Sequence, residues 1–481
     1  MDRIILSPKQ KALSINLDES IYGTFAEIGA GQEVVRHFFR AGGASGTIAK
    51  AMSAYDKDFS DAIYGKEDDN RYVCESRLKK MLKHEYNLII DRLDQKKHNG
   101  QRFFAFANTL TTINFSRTSQ GQGWLGLRFQ TKPNEEPNDV VLHIRLHDSD
   151  AFIQQEKVGI LGVNLIHACY NYHSDPRELL KSMYDNVSRV EVEIDMIQMD
   201  GPAFEEVDNR LLSLQLVKNG MTDAVMFGPD GRNLNINDVL YKKNVLALRG
   251  SFRPVTKVNM DMLMNGYESF VEDRKVNKDN LVVLFEITLT NLKGGKSTID
   301  EQDFLDRTDI LCSLGQTVLI SNYHEYYKLV EYFSQFSRER LGLILGVNNL
   351  LEVFNEKYYR KLNGGMLEAF GIIYNRDLKF FLYPQKEKDG TIFNSKNIKI
   401  HPRLKPLYDY LVFNGRINDL DHYDESILSI FSPEVLRDIK EGNEGWELKV
   451  PGYVDQIIKE RKLFGYNKHK KKDKEKVGEK L

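Results

Sequence analysis

The sequence predicts an α/β protein whose C-terminal half is a doubly wound parallel sheet, preceded by an additional N-terminal α+β domain. From residue 241 onward, short apolar runs alternate with helical patterns, which is the pattern of βαβ units. The chain has 481 residues, of which 41% are hydrophobic and 28% charged, enough to bury two or three ordinary cores. The predicted strands of the C-terminal half are 245–248, 281–285, 317–321, 341–346 and 378–382.

The N-terminal half carries a different pattern. Residues 1 to about 100 are predicted to be mainly helical and rich in loops, because segments 33–39 and 76–90 repeat apolar residues at spacings of three and four. Short β-like runs then follow, and they predict a mixed sheet. These runs are 103–107, 124–129, 140–146 and 190–196.

The predicted domain boundary lies near residue 240. A helix over 209–220 and a strand over 224–227 precede a Pro-Asp-Gly turn, after which the alternating pattern begins. We therefore expect an N-terminal α+β domain at 1–240 and a second, α/β domain at 241–466. The lysine-rich end, 467–481, is predicted to be a solvated, disordered tail.

Charge and cysteine usage limit the classes of function. The 67 Lys and Arg residues nearly balance the 69 Asp and Glu residues, so no global field attracts nucleic acid, and only the lysine-rich tail is a candidate for such contact. No apolar run approaches a membrane span, and the first residues lack a signal-peptide core, so we expect a cytoplasmic protein without membrane partners. Cys74, Cys169 and Cys312 lie far apart and are expected to be buried thiols.

The segment 245–259 predicts a strand, a tight loop and a helix. Gly250 stands where the strand ends, and a glycine there lets backbone N–H groups approach a phosphate at the start of the next helix. A second helix start follows Phe431, where Ser432 is predicted to cap the helix and Arg437 lies in its second turn. Two anion-facing helix starts indicate one nucleotide site.

In this order the two segments resemble the nicotinate and nicotinamide mononucleotide adenylyltransferases. The first matches that family's Gly-Ser/Thr-Phe-x-Pro-x-His/Thr-x-x-His loop, with Asn259 in the place of the second histidine, and the second is similar to its Ile-Ser-Ser-Thr-x-Ile-Arg signature. Segment 343–354 is similar to the family's strand-Gly-Ala-Asp segment, again with an amide in the acidic position. The resemblance covers 241–466 and implies that this part is a nucleotidyltransferase-like α/β domain. It rests on Gly250, Ser251, Phe252, Pro254, Thr256, Gly346, Asn348, Ser432 and Arg437.

The resemblance implies transfer of AMP from ATP to a pyridine mononucleotide, with release of pyrophosphate, as in NAD biosynthesis. It implies catalytic roles for Thr256, Asn259 and Arg437, and it implies nucleotide contacts by the other matching residues. It also implies Mg²⁺, for which the sequence identifies no protein ligand. The partners would then be ATP and nicotinate or nicotinamide mononucleotide.

Two alternatives remain beside this hypothesis. Because Asn259 and Asn348 are neutral where the family carries ionisable groups, the domain could instead be a nucleotide-binding sensor or scaffold without catalysis. A weaker alternative treats 281–335 as a haloacid-dehalogenase-like core, since 317–321 resembles its second motif, although Glu286 stands where that family's paired aspartates should be.

The polar and glycine-rich clusters in the N-terminal half are predicted to have structural roles and not to bind ligands. Segments 29–34 and 41–47 are predicted to serve loop packing rather than ligand binding, because neither follows a clear strand. His143, Arg145 and His147 are expected on one polar strand face, and Glu191, Glu193 and Asp195 on a solvated one. His167, Cys169 and His173 are expected to be structural rather than metal ligands.

Overall fold

The chain folds into two compact units, 1–223 and 224–481. The computed structural model describes residues 3–68, 70–93 and 100–466, so the predicted tail lies outside the described residues. Each unit holds one large mixed sheet, and the sheet of the second unit is largely parallel. The protein is therefore of the α/β class, as predicted. The first unit ends before the expected boundary near 240, because the strand at 224–227 pairs within the second sheet.

Unit 1 is built on a six-stranded sheet of order β2-β1-β3-β4-β5-β6, in which β1 runs parallel to β2 and β3 and the remaining neighbours are antiparallel. Its strands are β1 Ile21–Gly29, β2 Ile48–Ser53, β3 Arg102–Thr111, β4 Gly121–Phe129, β5 Asn138–Leu146 and β6 Val192–Asp200. Its helices are α1 Pro8–Asn16, α2 Val34–Ala41, α3 Lys57–Tyr64, α4 Glu75–Arg92, α5 Ala151–Tyr172, α6 Pro176–Ser182 and α7 Asn209–Lys218.

The first hundred residues differ from the prediction. Helices predominate there, and the two predicted helices are present, but the segment also contains strands β1 and β2, which the prediction lacks. Strand β1 was not predicted because Gly23 and Glu27 interrupt its apolar pattern. Both are explained by neighbours: a Cβ on Gly23 would lie 2.3 Å from the ring of Phe104, and Glu27 is 2% exposed.

Unit 2 is built on an eight-stranded sheet of order β16-β13-β12-β9-β10-β11-β7-β8. The six strands from β16 to β11 are parallel, and β7 and β8 form an antiparallel edge. The strands are β7 Ala224–Phe227, β8 Asn233–Leu234, β9 Asn244–Arg249, β10 Leu281–Thr288, β11 Thr317–Ser321, β12 Leu341–Gly346, β13 Leu378–Tyr383 and β16 Ile417–Asp419, with a separate hairpin of β14 Gln385–Lys386 and β15 Ile392–Phe393.

Most helices of unit 2 connect its parallel strands, and the last two follow the final strand, β16. The helices are α8 Ile236–Leu240, α9 Lys257–Val271, α10 Leu289–Lys293, α11 Glu301–Ser313, α12 Tyr326–Phe336, α13 Val347–Val353, α14 Gly365–Tyr374, α15 Lys405–Phe413, α16 Ser432–Glu441 and α17 Val454–Arg461. All five strands predicted for this half are present. Residues 245–248 are at most 1% exposed, which is the burial of a strand covered on both faces.

Candidate ligand-binding site

The loop after β9 is fixed by hydrogen bonds from neighbouring elements. Its Gly250 N–H donates to the Glu286 carbonyl at 3.1 Å, and the Asn291 side chain donates to the Gly250 carbonyl at 3.2 Å. The Arg307 guanidinium of α11 donates to the Ser251 carbonyl at 3.1 Å. A Cβ on Gly250 would lie 2.7 Å from the ring of Phe252, which is 3% exposed. The glycine therefore permits a tight turn around a buried aromatic ring.

The helix start behind this loop uses its own polar side chains. The Asn259 Oδ1 accepts from the Thr256 N–H at 2.9 Å and from the Thr256 hydroxyl at 3.0 Å, which makes the pair a capping arrangement for α9. Thr256 is only 2% exposed. The asparagine in the family's histidine position is thus explained by local helix capping.

The second predicted helix start does approach the first. The Ser432 hydroxyl donates to the Pro254 carbonyl at 2.9 Å, so α16 contacts the loop. The prediction that Ser432 caps α16 was wrong, because Phe431 occupies the N-cap position and makes no side-chain cap bond. Arg437 lies farther along α16 and is exposed.

A buried charge network joins the ends of three neighbouring strands. Glu286 of β10 is fully buried and sits in register with Arg249 of β9, whose guanidinium donates to both carboxylate oxygens. The Ser321 hydroxyl of β11 donates to the same carboxylate at 2.5 Å. Burial alone would lower the pKa of Arg249, but the adjoining Glu286 carboxylate raises that pKa above its ordinary value. The carboxylate therefore offsets the cost of burying the guanidinium.

The same arginine fixes the turn after β11. Its Nη1 and Nη2 donate to the carbonyls of His324 and Tyr323, both at 2.9 Å, and the guanidinium lies 4.3 Å from the centroid of the Tyr326 ring. Sequence reasoning singled out neither side of the Arg249–Glu286 pair as a site. The available signal was that an apolar run ends in a charge of opposite sign on two consecutive predicted strands.

A cavity of about 410 Å³ opens above this network, at the carboxyl ends of the parallel strands. The chain moves from β9 to β10 and β11 on one side and from β12 to β13 and β16 on the other, so adjacent β9 and β12 mark the topological switch point of the sheet. The cavity is lined by Arg249, Gly250, Ser251, Thr288, Asn291, His324, Glu325, Tyr326, Asn349, Glu352, Lys357, Tyr358 and Tyr359.

Aromatic and charged groups alternate around the cavity. The His324 and Tyr358 rings lie 4.8 Å apart, and the Lys357 ammonium lies 4.5 Å from the Tyr358 centroid. The Tyr358 hydroxyl donates to Glu352, and this bond together with Lys357 lowers the pKa of that carboxyl. The lining holds two cations, Arg249 and Lys357, and two carboxylates, Glu325 and Glu352. It therefore lacks the excess positive charge that a triphosphate would require.

Two of the predicted site residues, Gly250 and Ser251, line the cavity. Gly346 is the N-cap of α13, and Asn348 is exposed while the next residue, Asn349, lines the cavity. Phe252, Pro254, Thr256, Asn259, Ser432 and Arg437 are not among the lining residues. Across the described ranges, no group of three His, Cys, Asp or Glu side chains is arranged to hold a metal ion.

Unit 1 contains a second strand-loop-helix connection. Contrary to expectation, the glycine segment at 29–34 does follow a strand, since Gly29 ends β1. The space beside this loop is filled by side chains. Glu27 accepts hydrogen bonds from the Val34 N–H at 3.2 Å and from Asn108 Nδ2 at 3.0 Å. A Cβ on Gly31 would lie 2.1 Å from Asn108 Oδ1, which confirms close packing as the role of this glycine. Burial raises the pKa of Glu27 to about 8.

The polar rows of β5 and β6 in unit 1 pair with each other. The His143 ring lies 2.6 Å from Asp195 and the His147 ring 3.0 Å from Glu193. The Glu193 pKa falls to about 2: burial would raise it, but His147 and Arg145 outweigh that effect. The expectation of a solvated acidic face was wrong for Glu193 and Asp195, which are buried. All three cysteines are buried and free, as predicted.

Comparison with known proteins corrects the family assignment. No protein-family model and no curated protein matches this chain. Among solved structures, it is similar to competence-damaged protein (CinA) superfamily proteins from Klebsiella pneumoniae and Enterobacter cloacae, at 10% and 12% identity and a TM-score of 0.26 for both. These matches cover 34% and 36% of this chain, and 98% and 96% of the two relatives.

A competence/damage-inducible protein from Agrobacterium tumefaciens matches at 17% identity and a TM-score of 0.23, over 34% of this chain and 93% of its own. These proteins are not mononucleotide adenylyltransferases. The adenylyltransferase assignment is therefore wrong, together with the AMP transfer and the NAD biosynthesis that it implied. TM-scores this low transfer neither a substrate nor an activity to the chain. No helix in the described part of the chain is both long and apolar enough to cross a membrane.

Proposed function

We propose that unit 2 is a small-molecule-binding module whose ligand lies in the cavity above Arg249 and Glu286. The observation that carries the proposal is the position of this cavity. It opens at the carboxyl ends of the parallel strands and at their switch point, where open α/β sheets bind their ligands. Its volume of about 410 Å³ falls within the range of small-molecule sites.

The rigidity of the site supports the proposal. The floor is fixed by the Arg249–Glu286 pair, and the loop at Gly250 is held by Asn291 and Arg307. Groups that are held in place before a ligand arrives lose little conformational entropy on binding. The cavity is therefore preformed.

The lining indicates a neutral ligand that carries hydroxyl groups and a ring-shaped face. Glu352 accepts hydrogen bonds, Lys357 donates them, and Ser251 and Asn349 do both. The rings of His324, Tyr326, Tyr358 and Tyr359 offer flat apolar surface. Because the cations and carboxylates of the lining are equal in number, a ligand of high charge gains little here.

Ligand-observed NMR on the full chain tests the proposal, with D-ribose, D-glucose and myo-inositol as probes. We expect saturation transfer to at least one of these compounds. Tyr358→Ala should weaken its binding about fivefold, because an aromatic contact contributes about 1 kcal/mol.

Tyr241→Ala is the matched control. Tyr241 also lies beside a lysine, with the Lys242 ammonium 5.0 Å from its ring centroid, but it is 57% exposed and outside the cavity lining. This variant should bind as the wild type does. Absence of transfer to all three probes, or equal transfer in wild type and Tyr358→Ala, would contradict the proposed function.

A further inference from the structure

A second cavity, of about 380 Å³, lies at the other edge of the unit 2 sheet, where the parallel strands begin. Arg340, Asp377 and Arg416 each come directly before one of three neighbouring strands, β12, β13 and β16. Because parallel strands begin at a common edge, the fold brings these three residues together. The cavity is lined by Arg340, Tyr374, Asp377, Lys379, Tyr410, Leu411, Asn414, Gly415 and Arg416.

Positive charge exceeds negative charge at this edge. The lining holds three cations, Arg340, Lys379 and Arg416, against the single carboxylate of Asp377. Lys275 lies 3.0 Å from Asp377 and adds a fourth cation. Asp273 partly balances them, with Arg340 at 3.0 Å and Lys379 at 2.8 Å. Four cations therefore face two carboxylates.

Several buried donors at this edge make no hydrogen bond within the part of the chain that the structure describes. Arg340 is 7% exposed, and its Nε has no such partner. The buried hydroxyl of Tyr374, which also lines the cavity, has none either. Adjacent Arg376 is likewise 7% exposed, with Nε and Nη1 unbonded, and burial lowers its pKa to about 10. Buried donors without acceptors are unfavourable, so an added acceptor would be stabilised.

We propose that this cavity binds a tetrahedral oxyanion, either inorganic phosphate or the phosphate group of a small ester. The excess of cations supplies the attraction, and the arginine forks supply paired donors that match such an anion. The Tyr374 ring, 5.5 Å from the Arg416 guanidinium, forms one wall. This site is separate from the cavity at the carboxyl edge and does not depend on the function proposed for it.

Titration calorimetry of the full chain with inorganic phosphate tests the site. We expect binding that weakens as sodium chloride is raised, because the attraction is electrostatic. Arg416→Ala should weaken binding by about tenfold or more, the usual effect of losing a hydrogen bond to a charged group. The Arg416 side chain is 34% exposed, so its removal should leave the fold intact.

Asp377→Asn gives an effect of opposite sign. It removes the carboxylate that competes for Arg340 and Arg416, so phosphate should bind more tightly. Arg232→Ala is the control, because that side chain is 84% exposed and distant in sequence from the cavity residues, and it should change nothing.

Three results would overturn the proposal. They are an absence of binding heat with wild type and with Asp377→Asn, unchanged affinity in Arg416→Ala, and acetate binding as tightly as phosphate. Titration with glycerol 3-phosphate then separates the two sources of the anion. Tighter binding than inorganic phosphate assigns the site to an ester, and equal or weaker binding assigns it to the free ion.

Discussion

Two glycine loops, one in each unit, have the same strand-loop-helix order and different surroundings. After β1, the space beside Gly31 is filled by Asn108 and Glu27, so no ligand fits there. After β9, the side chains of Asn291 and Arg307 hold the loop by hydrogen bonds to its carbonyls, and Gly250 and Ser251 remain open to a cavity. A glycine at the end of a strand therefore does not by itself define a binding site. What packs beside the loop decides whether it is closed or open.

A buried glutamate accompanies each loop, and the two have different hydrogen-bond partners. Glu286 has Arg249 as its partner and is bonded by Ser321 as well. Glu27 is bonded by a backbone N–H and an amide, and burial raises its pKa to about 8, so it is mainly protonated at neutral pH. One glutamate is therefore half of an ion pair, and the other behaves as a neutral hydrogen-bonding group.

Replacing Arg249 should cause the largest loss of folding stability. Arg249→Met leaves Glu286 buried without its cation and should destabilise unit 2 by about 3–5 kcal/mol. Glu27→Gln, which replaces one neutral group by another, should change the stability of unit 1 by less than about 1 kcal/mol at pH 7. Urea unfolding followed by circular dichroism measures both. Similar losses in the two variants would show that the glutamates do not differ in charge.

Adding a side chain at Gly31, in the loop after β1, should cause the next largest loss of folding stability. Gly31→Ala places a Cβ against the fully buried Asn108 side chain and should cost about 3 kcal/mol, the upper range for overpacking. Gly46→Ala is the control, since a Cβ there meets nothing within 4 Å. The measurement is the difference between the urea unfolding midpoints of the two variants. Equal midpoints would mean that the Asn108 side chain moves aside at no cost in stability.

The pH dependence of unit 1 should report the state of Glu27. Its folded pKa of about 8 lies above its ordinary value, so the folded state binds more protons, and stability should fall as pH rises toward 8. Between about pH 6.5 and 8 the slope contributed by this group should decrease from about 1.4 to about 0.7 kcal/mol per pH unit, because half of the folded molecules have lost this proton at pH 8. At the lower end of this window His167 contributes a slope of opposite sign, because burial lowers its pKa from 6.5 to about 4, and Asp139, whose burial raises its pKa to about 6, contributes a smaller slope of the same sign as Glu27. Both contributions fade as the pH approaches 8.

The control for this pH dependence is Glu27→Gln, which should remove that part of the slope. Unfolding free energies of the wild type and the variant are compared across the window. Parallel curves would show that Glu27 is already ionised in the folded state.

The smallest expected effect concerns Asn259 at the start of α9. Because its amide oxygen caps the helix, Asn259→Ala should reduce stability by about 1 kcal/mol. Asn259→Asp keeps an acceptor at the positive end of the helix and should retain the stability. Thermal unfolding distinguishes them, and an alanine variant as stable as the wild type would exclude the capping role.

The strands of unit 2 and the position of Gly250 at a strand end could be predicted from the amino-acid pattern alone. Continuous apolar runs such as 245–248 predict strands that are buried on both faces, and this signal is local, so it survives without any knowledge of the partners. The burial of the three cysteines was predictable from their wide spacing, which fits neither a disulfide framework nor a zinc site. The sequence also showed that His143 and His147 share a strand face, although not which carboxylates face them.

The remaining features could not be predicted from local sequence, because they depend on contacts between residues distant in the chain. Strand β1 contains Gly23 and Glu27, which look unfavourable until Phe104 and Asn108 pack against them. The loop at 250–259 resembled a nucleotide motif, yet Asn259 serves its own helix. Both cavities form where the ends of parallel strands meet, at Arg249 on one edge and Arg416 on the other, and strand order is set by long-range pairing that no single segment encodes.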